Sequence, residues 1–248
     1  MRRIILAILF TCTMLTTASA QDRTVQNRPY TDLRKFHFGL HVGTHLQDIE
    51  FVNVGPITLS NEDGTTYESL VTLDQDRWDP GFNVGVLGEF RLSENFQLRI
   101  APAMYFGTRH ITFHNYNISD VEKTPIKETQ GLKTAYITSA FDIIFAGPRF
   151  NNRRPYIMAG VNPMINLSNK DNDFLKLKRY DMFLEIGIGC DFYLPFFKAR
   201  PELKFMYGLT NSLDTDHAKH VRDKTMLQYT NAVSKARSKM ITFTLYFE

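Results

Sequence analysis

Along most of the chain, apolar and polar residues change places at every second position. In FHFGLHVGTHL (36–46), Phe36, Phe38, Leu40, Val42 and Leu46 share one face; His37, Gly39, His41, Gly43 and His45 share the other. GFNVGVLGEFRL (81–92) sets Phe82, Val84, Val86, Phe90 and Leu92 against Asn83, Gly85, Glu89 and Arg91. NFQLRIAPAMYF (95–106) sets Phe96, Leu98, Ile100, Met104 and Phe106 against Gln97, Arg99, Ala103 and Tyr105. A period of two is that of a strand with one oily and one polar face. AYITSAFDIIFAG (135–147), RPYIMAGVNPMINL (154–167), RYDMFLEIGIGCDFYL (179–194) and PELKFMYGL (201–209) continue it, and the closing ITFTLYF (241–247) predicts an eighth strand. Pro163 falls inside the fifth, where the missing N–H predicts a bulge or a strand end.

The connections alternate in length: 47–80 long, 92–95 short, 107–133 long, 148–153 short, 168–178 long, 195–199 short and 210–239 long. An up-and-down meander with short turns at one end and long loops at the other is the pattern of an outer-membrane barrel. About ten residues at ~3.3 Å each, tilted near ~40°, cross a lipid-facing band of roughly 25 Å. On the oily face Phe36, Phe90, Phe96, Phe145, Phe192 and Phe247 all fall at the short-turn end, which predicts an aromatic girdle at one interface. A soluble lipocalin-like barrel would turn the oily set inward; rings bunched at one end favour lipid outside. The predicted fold is therefore all-β, an eight-stranded up-and-down antiparallel transmembrane β-barrel over residues 36–248. In such a barrel the last strand pairs with the first, so a terminal strand is no exposed edge. Its aromatic Phe247 matches the signal that the outer-membrane insertion machinery reads, with Glu248 one residue beyond the pattern.

The first twenty residues carry Arg2 and Arg3, an apolar run from Ile4 to Leu15, and Ala18-Ser19-Ala20, the form of a secretory signal peptide. Taking away its two arginines leaves 27 of the 29 basic residues against 26 acids, a net charge near +1, which does not ask for nucleic acid. Of the two cysteines only Cys190 remains, so no intramolecular disulfide is expected. Residues 21–35 are polar and are expected to reach into the periplasm as an N-terminal segment.

Three groups invite a chemical reading. His37, His41 and His45 share a face, but four strand residues span ~13 Å. Zinc ligands lie within ~2.1 Å of the ion, so the three cannot meet at one metal and are expected to fill the lumen. Glu89, Arg91, Arg99, Asp142, Glu185, Asp191, Glu202 and Lys204 also face inward. An eight-stranded barrel is just wide enough for its side chains to fill it, and buried charges there must pair, so an ion-pair network without catalysis is expected. Asp214, Asp216, His217 and His220 in DTDHAKH have the donor types of a divalent-metal site, but the segment reads more simply as a solvated loop. The following VRDKTMLQYTNAVSKARSK has the texture of a short helix. A lipid A-modifying enzyme would need a nucleophile and base within reach at the outer-leaflet interface, and Ser139 is the serine assigned to the lipid face, with no histidine placed near it. No catalytic, cofactor or metal residue is assigned.

The stretches NNRRPYIMAGVNPMINL and FLEIGIGCDFYLPFFKARPELKFMYGLTNSL, with the terminal ITFTLYFE, resemble the PorT family of Bacteroidetes outer-membrane proteins. The resemblance runs from about residue 36 to the end and is most specific over 150–213. It implies an eight-stranded, non-enzymatic barrel needed by the type IX secretion system to bring cargo proteins to the cell surface. The expected partners are outer-membrane lipid, other type IX components and the insertion machinery, with the barrel itself monomeric. The basic turn PRFNNRR (148–154) and segment 21–35 are candidate contact surfaces. An OmpX-like structural or adhesive barrel is the alternative.

Overall fold

The computed structural model describes residues 25–60, 65–116, 126–168, 174–217 and 226–248; the expected signal peptide at 1–20 lies outside them. Eleven strands are found among these residues. They are β1 (Phe36–Asn53), β2 (Ile57–Ser60), β3 (Thr66–Ser69), β4 (Val71–Asp74), β5 (Asp79–Arg91), β6 (Phe96–Asn115), β7 (Ile126–Ala146), β8 (Arg153–Asn166), β9 (Tyr180–Tyr193), β10 (Lys198–Gly208) and β11 (Val233–Phe247). Eight of them pair antiparallel in the ring β6–β5–β1–β11–β10–β9–β8–β7, and β7 returns to β6. The last strand runs along the first from Leu40↔Phe247 to Asn53↔Val233 and along β10 from Ala199↔Phe247 to Tyr207↔Lys239. Closure leaves no backbone edge unpaired within hydrocarbon, where water cannot substitute for a missing strand.

The alternation seen in the sequence becomes the two surfaces of the wall. Phe38, Leu40, Ile157, Ile186, Ile188 and Phe243 point outward and remain half or more exposed, whereas Glu89, Arg99, Glu185, Arg200 and Met240 are fully enclosed. The girdle is present: Phe36 packs in a tilted arrangement against Phe90 at 4.9 Å between ring centres, Phe96 likewise against Phe145 at 5.2 Å, and Phe247 lies 6.0 Å from Phe197. Pro163 makes neither a bulge nor an end. It faces outward opposite Met182, the ladder to β7 keeps one register on both sides of it, and β8 continues to Asn166. A proline whose missing N–H faces a locally unbonded stretch of ladder is accommodated without a shift.

Four strands are longer than the sequence pattern predicts. β1 runs to Asn53, β6 to Asn115, β7 begins at Ile126 and β11 at Val233, so much of the expected loops 47–80, 107–133 and 210–239 is wall. Where β5 stops, β4 takes its place: it pairs with β6 (Val71↔Asn115 to Asp74↔Thr112), and Asn53 both donates to Leu73 O (3.2 Å) and accepts from Leu73 N (2.9 Å). In this upper storey the two faces exchange character. Ile49, Leu73, Ile111, Phe113, Leu132, Leu175, Leu177, Leu213, Tyr229 and Val233 are buried together inside, and Glu50, His110, Lys133, Lys235 and Arg237 look out. Below, the outside is lipid and the inside polar; above, the outside is water and the inside oily. Of the expected helix after His220, the described residues hold α1 (Leu227–Thr230), whose Tyr229 packs edge-on against Phe113 at 5.4 Å. Burial pushes the Tyr229 phenol up, keeping it protonated beside the Asn115 amide at 3.3 Å.

At the opposite, short-turn end, residues 25–35 do not reach away from the barrel. A single 3₁₀ turn (Thr31–Leu33) and the residues before it lie across the mouth. Asn27 N donates to Asn152 Oδ1 (2.9 Å), Asn27 Nδ2 to Tyr193 O (3.0 Å) and Arg28 Nη1 to Glu248 O (3.0 Å).

Candidate functional site: a filled lumen between two closed mouths

The lumen is built from the bottom up by side chains that the strand register places at matching heights. Nearest the short turns, Glu248 Oε2 meets Lys198 Nζ at 2.5 Å and Glu248 Oε1 accepts from Arg200 Nη1 at 2.6 Å. The residue that departs from the terminal pattern is therefore an internal counter-ion. Arg200 also pairs with Glu89 (2.6 Å) and Asp191 (2.6 Å). One layer higher, Arg99 bridges Glu89 (3.4 Å) and Glu202 (2.7 Å), and the Tyr156 and Tyr246 hydroxyls donate to Glu202 at 2.7 and 3.1 Å. The Arg99 guanidinium lies 4.4 Å from the centre of the Tyr246 ring, a favourable cation–π position. Above it Lys204 pairs with Glu185 at 3.2 Å, and Asn162 donates to the second oxygen of that carboxylate at 3.0 Å. Asp142 closes the wall across the ladder from Arg99.

Four cations thus interleave with five carboxylates, each in contact with more than one partner except Glu185 and Asp191's weaker second contact to Lys198 at 3.9 Å. Such a chain of buried charges compensates all but one of its paired carboxylates and leaves no continuous path for water or solute. Glu89, Arg99 and Arg200 have no exposure to solvent from either mouth.

The histidines occupy the same wall without converging. His37 lies 3.5 Å from Glu248, His41 packs on Tyr246 at 4.9 Å, and His45 packs on Tyr105 at 5.2 Å. Facing His41 and His45 across the ladder are Gly85 and Gly81, and a Cβ on either would sit within 2.5 Å of an imidazole nitrogen. Those two glycines are the space in which the rings lie.

The sequence reading placed seven of its eight charged inward residues correctly. Arg91 is the correction: it is half-buried at the turn, where it donates to Ser93 O (3.2 Å) and Leu33 O (3.4 Å). Lys198, Arg200, Arg109, Tyr156 and Glu248 are lumen residues that the sequence pattern did not show. Lys198 fell in a segment read as a turn, and Arg109 in one read as a loop. Arg109 is fully buried in the upper barrel, donating to Gln47 Oε1 (3.1 Å) and Ser238 Oγ (2.8 Å). Continuing the two-residue count past Phe106 through Arg109, Ile111 and Phe113 would have found it.

With this closed, charge-filled, girdled ring described, comparison with known families is informative. A family model described as "Outer membrane protein beta-barrel domain" matches residues 19–214. The chain belongs to that family. It is an outer-membrane barrel. No curated protein matches it. Among solved structures it is similar to OprG of Pseudomonas aeruginosa (11% identity, 85% of this chain and 93% of that one, TM-score 0.44). It is also similar to Neisserial surface protein A (11%, 86% and 98%, 0.40) and to the attachment invasion locus protein Ail of Yersinia pestis (10%, 86% and 99%, 0.36).

For an outer-membrane barrel the short turns face the periplasm, so the residues that cross the lower mouth are periplasmic. Two of the three arginines of the basic turn there are engaged by the strap and the neighbouring turn. Arg149 packs on the Tyr193 ring at 3.6 Å, donates to the carbonyls of Asn27 and Asn151, and lies 3.7 Å from Asp32. Arg154 donates to Gly147 O (2.8 Å) and Glu94 O (2.5 Å) and lies 3.8 Å from Asp32, while Tyr193 OH donates to Asp32 at 2.7 Å. Arg153 alone of the three arginines projects outward, near the Phe192 ring at 5.8 Å. Asp32 is thus the pin of the strap. Asp32→Ala should leave the barrel folded while exposing Arg28 and Arg34 to trypsin about tenfold faster, given that hydrogen bonds to charged groups each contribute ~1.5–3 kcal/mol. Cleavage kinetics of the purified barrel in detergent measure this, and unchanged kinetics would show that the strap is held by other contacts.

On the outer loops, Asp214 accepts from Asp216 N at 3.2 Å, and His217 is buried. His220 lies outside the described residues. Among the described residues no three His, Cys, Asp or Glu side chains gather as a metal site. Ser139 is half-exposed on the lipid face opposite Pro102.

Proposed function

We propose that this protein is a non-catalytic accessory barrel of the type IX secretion system, anchored in the outer membrane and required for cargo to reach the cell surface. The observation that carries the reading is the sealed lumen. A barrel whose centre is packed with paired Glu89, Arg99, Arg200 and Glu202, none of them reached by solvent, cannot itself pass a protein or a nutrient. Its work then lies at its ends, with the strapped periplasmic mouth and the raised extracellular storey as the surfaces on offer to the export assembly. The assignment to type IX export rests on the resemblance of residues 150–213 and the terminal strand to the PorT family.

The test is cargo location in a strain lacking the gene. Cargo is expected to accumulate in the periplasm and to return to the surface when the wild-type gene is restored. Normal secretion would reject the reading. The upper storey, with its own apolar core around Ile111 and Phe113, favours a second one: a rigid surface platform of the OmpX-like, adhesive kind. Intact secretion with lost cell attachment would select it, and altered lipid A acylation by mass spectrometry would select an enzyme instead.

A further inference from the structure

The outward face of β11 changes abruptly on the way up. From the periplasmic girdle it reads Phe247, Leu245, Phe243 and Ile241, and then Lys239, Arg237 and Lys235. Lys239 stands eight residues from Phe247 (247 minus 239), and at ~3.3 Å per residue with ~40° tilt this is about 20 Å higher, the far edge of the hydrocarbon band. On β10 the same change occurs from Leu203 and Phe205 to Tyr207, in register with Lys239.

Two concavities follow this boundary. The upper is a notch of about 400 Å³ lined by Glu50, Val52, Tyr207, Ser234, Lys235 and Arg237. It holds two cations, Lys235 and Arg237, and a third, Lys239, stands beside Glu50 just outside it. Lys239 is neutralised by Glu50 at 2.7 Å, whereas among the described residues neither Lys235 nor Arg237 is ion-paired. Arg237 is instead held by Tyr207, donating Nη1–H to the phenol oxygen at 3.0 Å with the guanidinium 5.8 Å from the ring centre. One ladder step lower, at Phe205↔Ile241, begins a second concavity of about 580 Å³. It is apolar, with Ala159 as the small residue between Ile157, Ile186, Leu203, Phe205 and Ile241.

We propose that this composite surface binds a phosphorylated, acylated glycolipid of the outer leaflet, with a phosphate on Lys235 and Arg237 and an acyl chain in the groove floored by Ala159. The charge is complementary: in the notch two bases, Lys235 and Arg237, stand against the single acid Glu50, which is already paired to Lys239. The order is complementary too: the cationic notch lies on the extracellular side of the hydrocarbon groove, the two joined through Tyr207 and Phe205 on β10 and Lys239 and Ile241 on β11, which matches a head and tail in the only orientation the bilayer permits. A peptide or polysaccharide would fill the notch but not the groove, and a neutral lipid the reverse. Arg237 is pre-positioned by Tyr207, so little freedom is lost when it meets an anion.

The test is native mass spectrometry of the full barrel in detergent, titrated with bisphosphorylated lipid A, its dephosphorylated form, or phosphatidylglycerol. One lipid A per barrel is expected to be retained in preference to the other two. Lys235→Gln with Arg237→Gln should weaken retention about thirtyfold, since each cation at a membrane surface contributes about fivefold toward an anionic lipid. Ala159→Trp, which fills the groove from the lipid side, should weaken it while the heat-dependent gel shift of the folded barrel is preserved. Equal retention of the dephosphorylated lipid, equal retention by the charge variant, or a preference for phosphatidylglycerol would overturn the proposal.

Discussion

Glu202→Ala is expected to lower the stability of the barrel by about 3–5 kcal/mol, the range found when one partner of a buried charge pair is removed. Glu202 accepts from Arg99 at 2.7 Å, Tyr156 at 2.7 Å and Tyr246 at 3.1 Å, and Lys204 lies 3.9 Å away. Truncation takes the shorter of its two carboxylate contacts from Arg99, leaving Glu89 at 3.4 Å, and removes the acceptor of two phenols in a space that water does not reach. Glu202→Gln keeps an acceptor for the phenols and loses only the charge, so its effect should be smaller. Replacing Arg99 and Glu202 together by methionine should recover much of the loss, because an apolar pair of similar volume often matches a buried ion pair. Denaturant titration of the barrel folded into vesicles, followed by the fluorescence of its single tryptophan Trp78, gives the three midpoints. A Glu202→Ala midpoint equal to wild type would show that the lumen network contributes nothing net.

Removing residues 241–248 should abolish insertion altogether. β11 is the strand through which the ring closes, and without it β1 and β10 each face hydrocarbon with an unpaired row of N–H and C=O groups. Each such group costs several kcal/mol in lipid, far more than any compensating contact supplies. The same deletion takes away Glu248, leaving Lys198 and Arg200 to Asp191 and Glu89. The heat-dependent gel shift in the outer-membrane fraction should disappear. Phe247→Ala, which removes only one ring of the girdle near Phe197, should reduce the folded fraction without eliminating it. A normal amount of inserted protein from the truncated chain would mean that seven strands close the ring.

What separates the legible from the illegible parts of this chain is which solvent lies outside each stretch of wall. From Phe36 to Leu46, or from Phe247 to Ile241, the outside is hydrocarbon and the inside polar. The contrast between neighbours is then as large as it can be, and the period of two is unmistakable. In QDIEFVN, RHITFHN and SKARSK the strand continues, but water replaces lipid, so the oily residues Ile49, Ile111 and Phe113 move to the inside and the charges outside. A reader following the oily face meets charge instead and ends the strand. That inversion hid Arg109 and made the upper storey look like loops.

The charged lumen divides along a related line. Glu89, Arg99, Asp142, Glu185, Asp191, Glu202 and Lys204 could be assigned inward one strand at a time, because inwardness is a property of parity. Which of them meet is a property of register and shear, set by long-range pairings such as Ala199↔Phe247 and Glu89↔Arg99. The sequence by itself determined the barrel, its eight strands, its lipid face and its girdle, since these follow from local alternation against a solvent of known character. Only the tertiary structure decided that Glu248 is an internal counter-ion, that Asp32 pins a strap across the periplasmic mouth, and that a basic notch stands above an apolar groove. Each of these joins residues from strands distant in sequence, and no local pattern fixes how far one strand slides past the next.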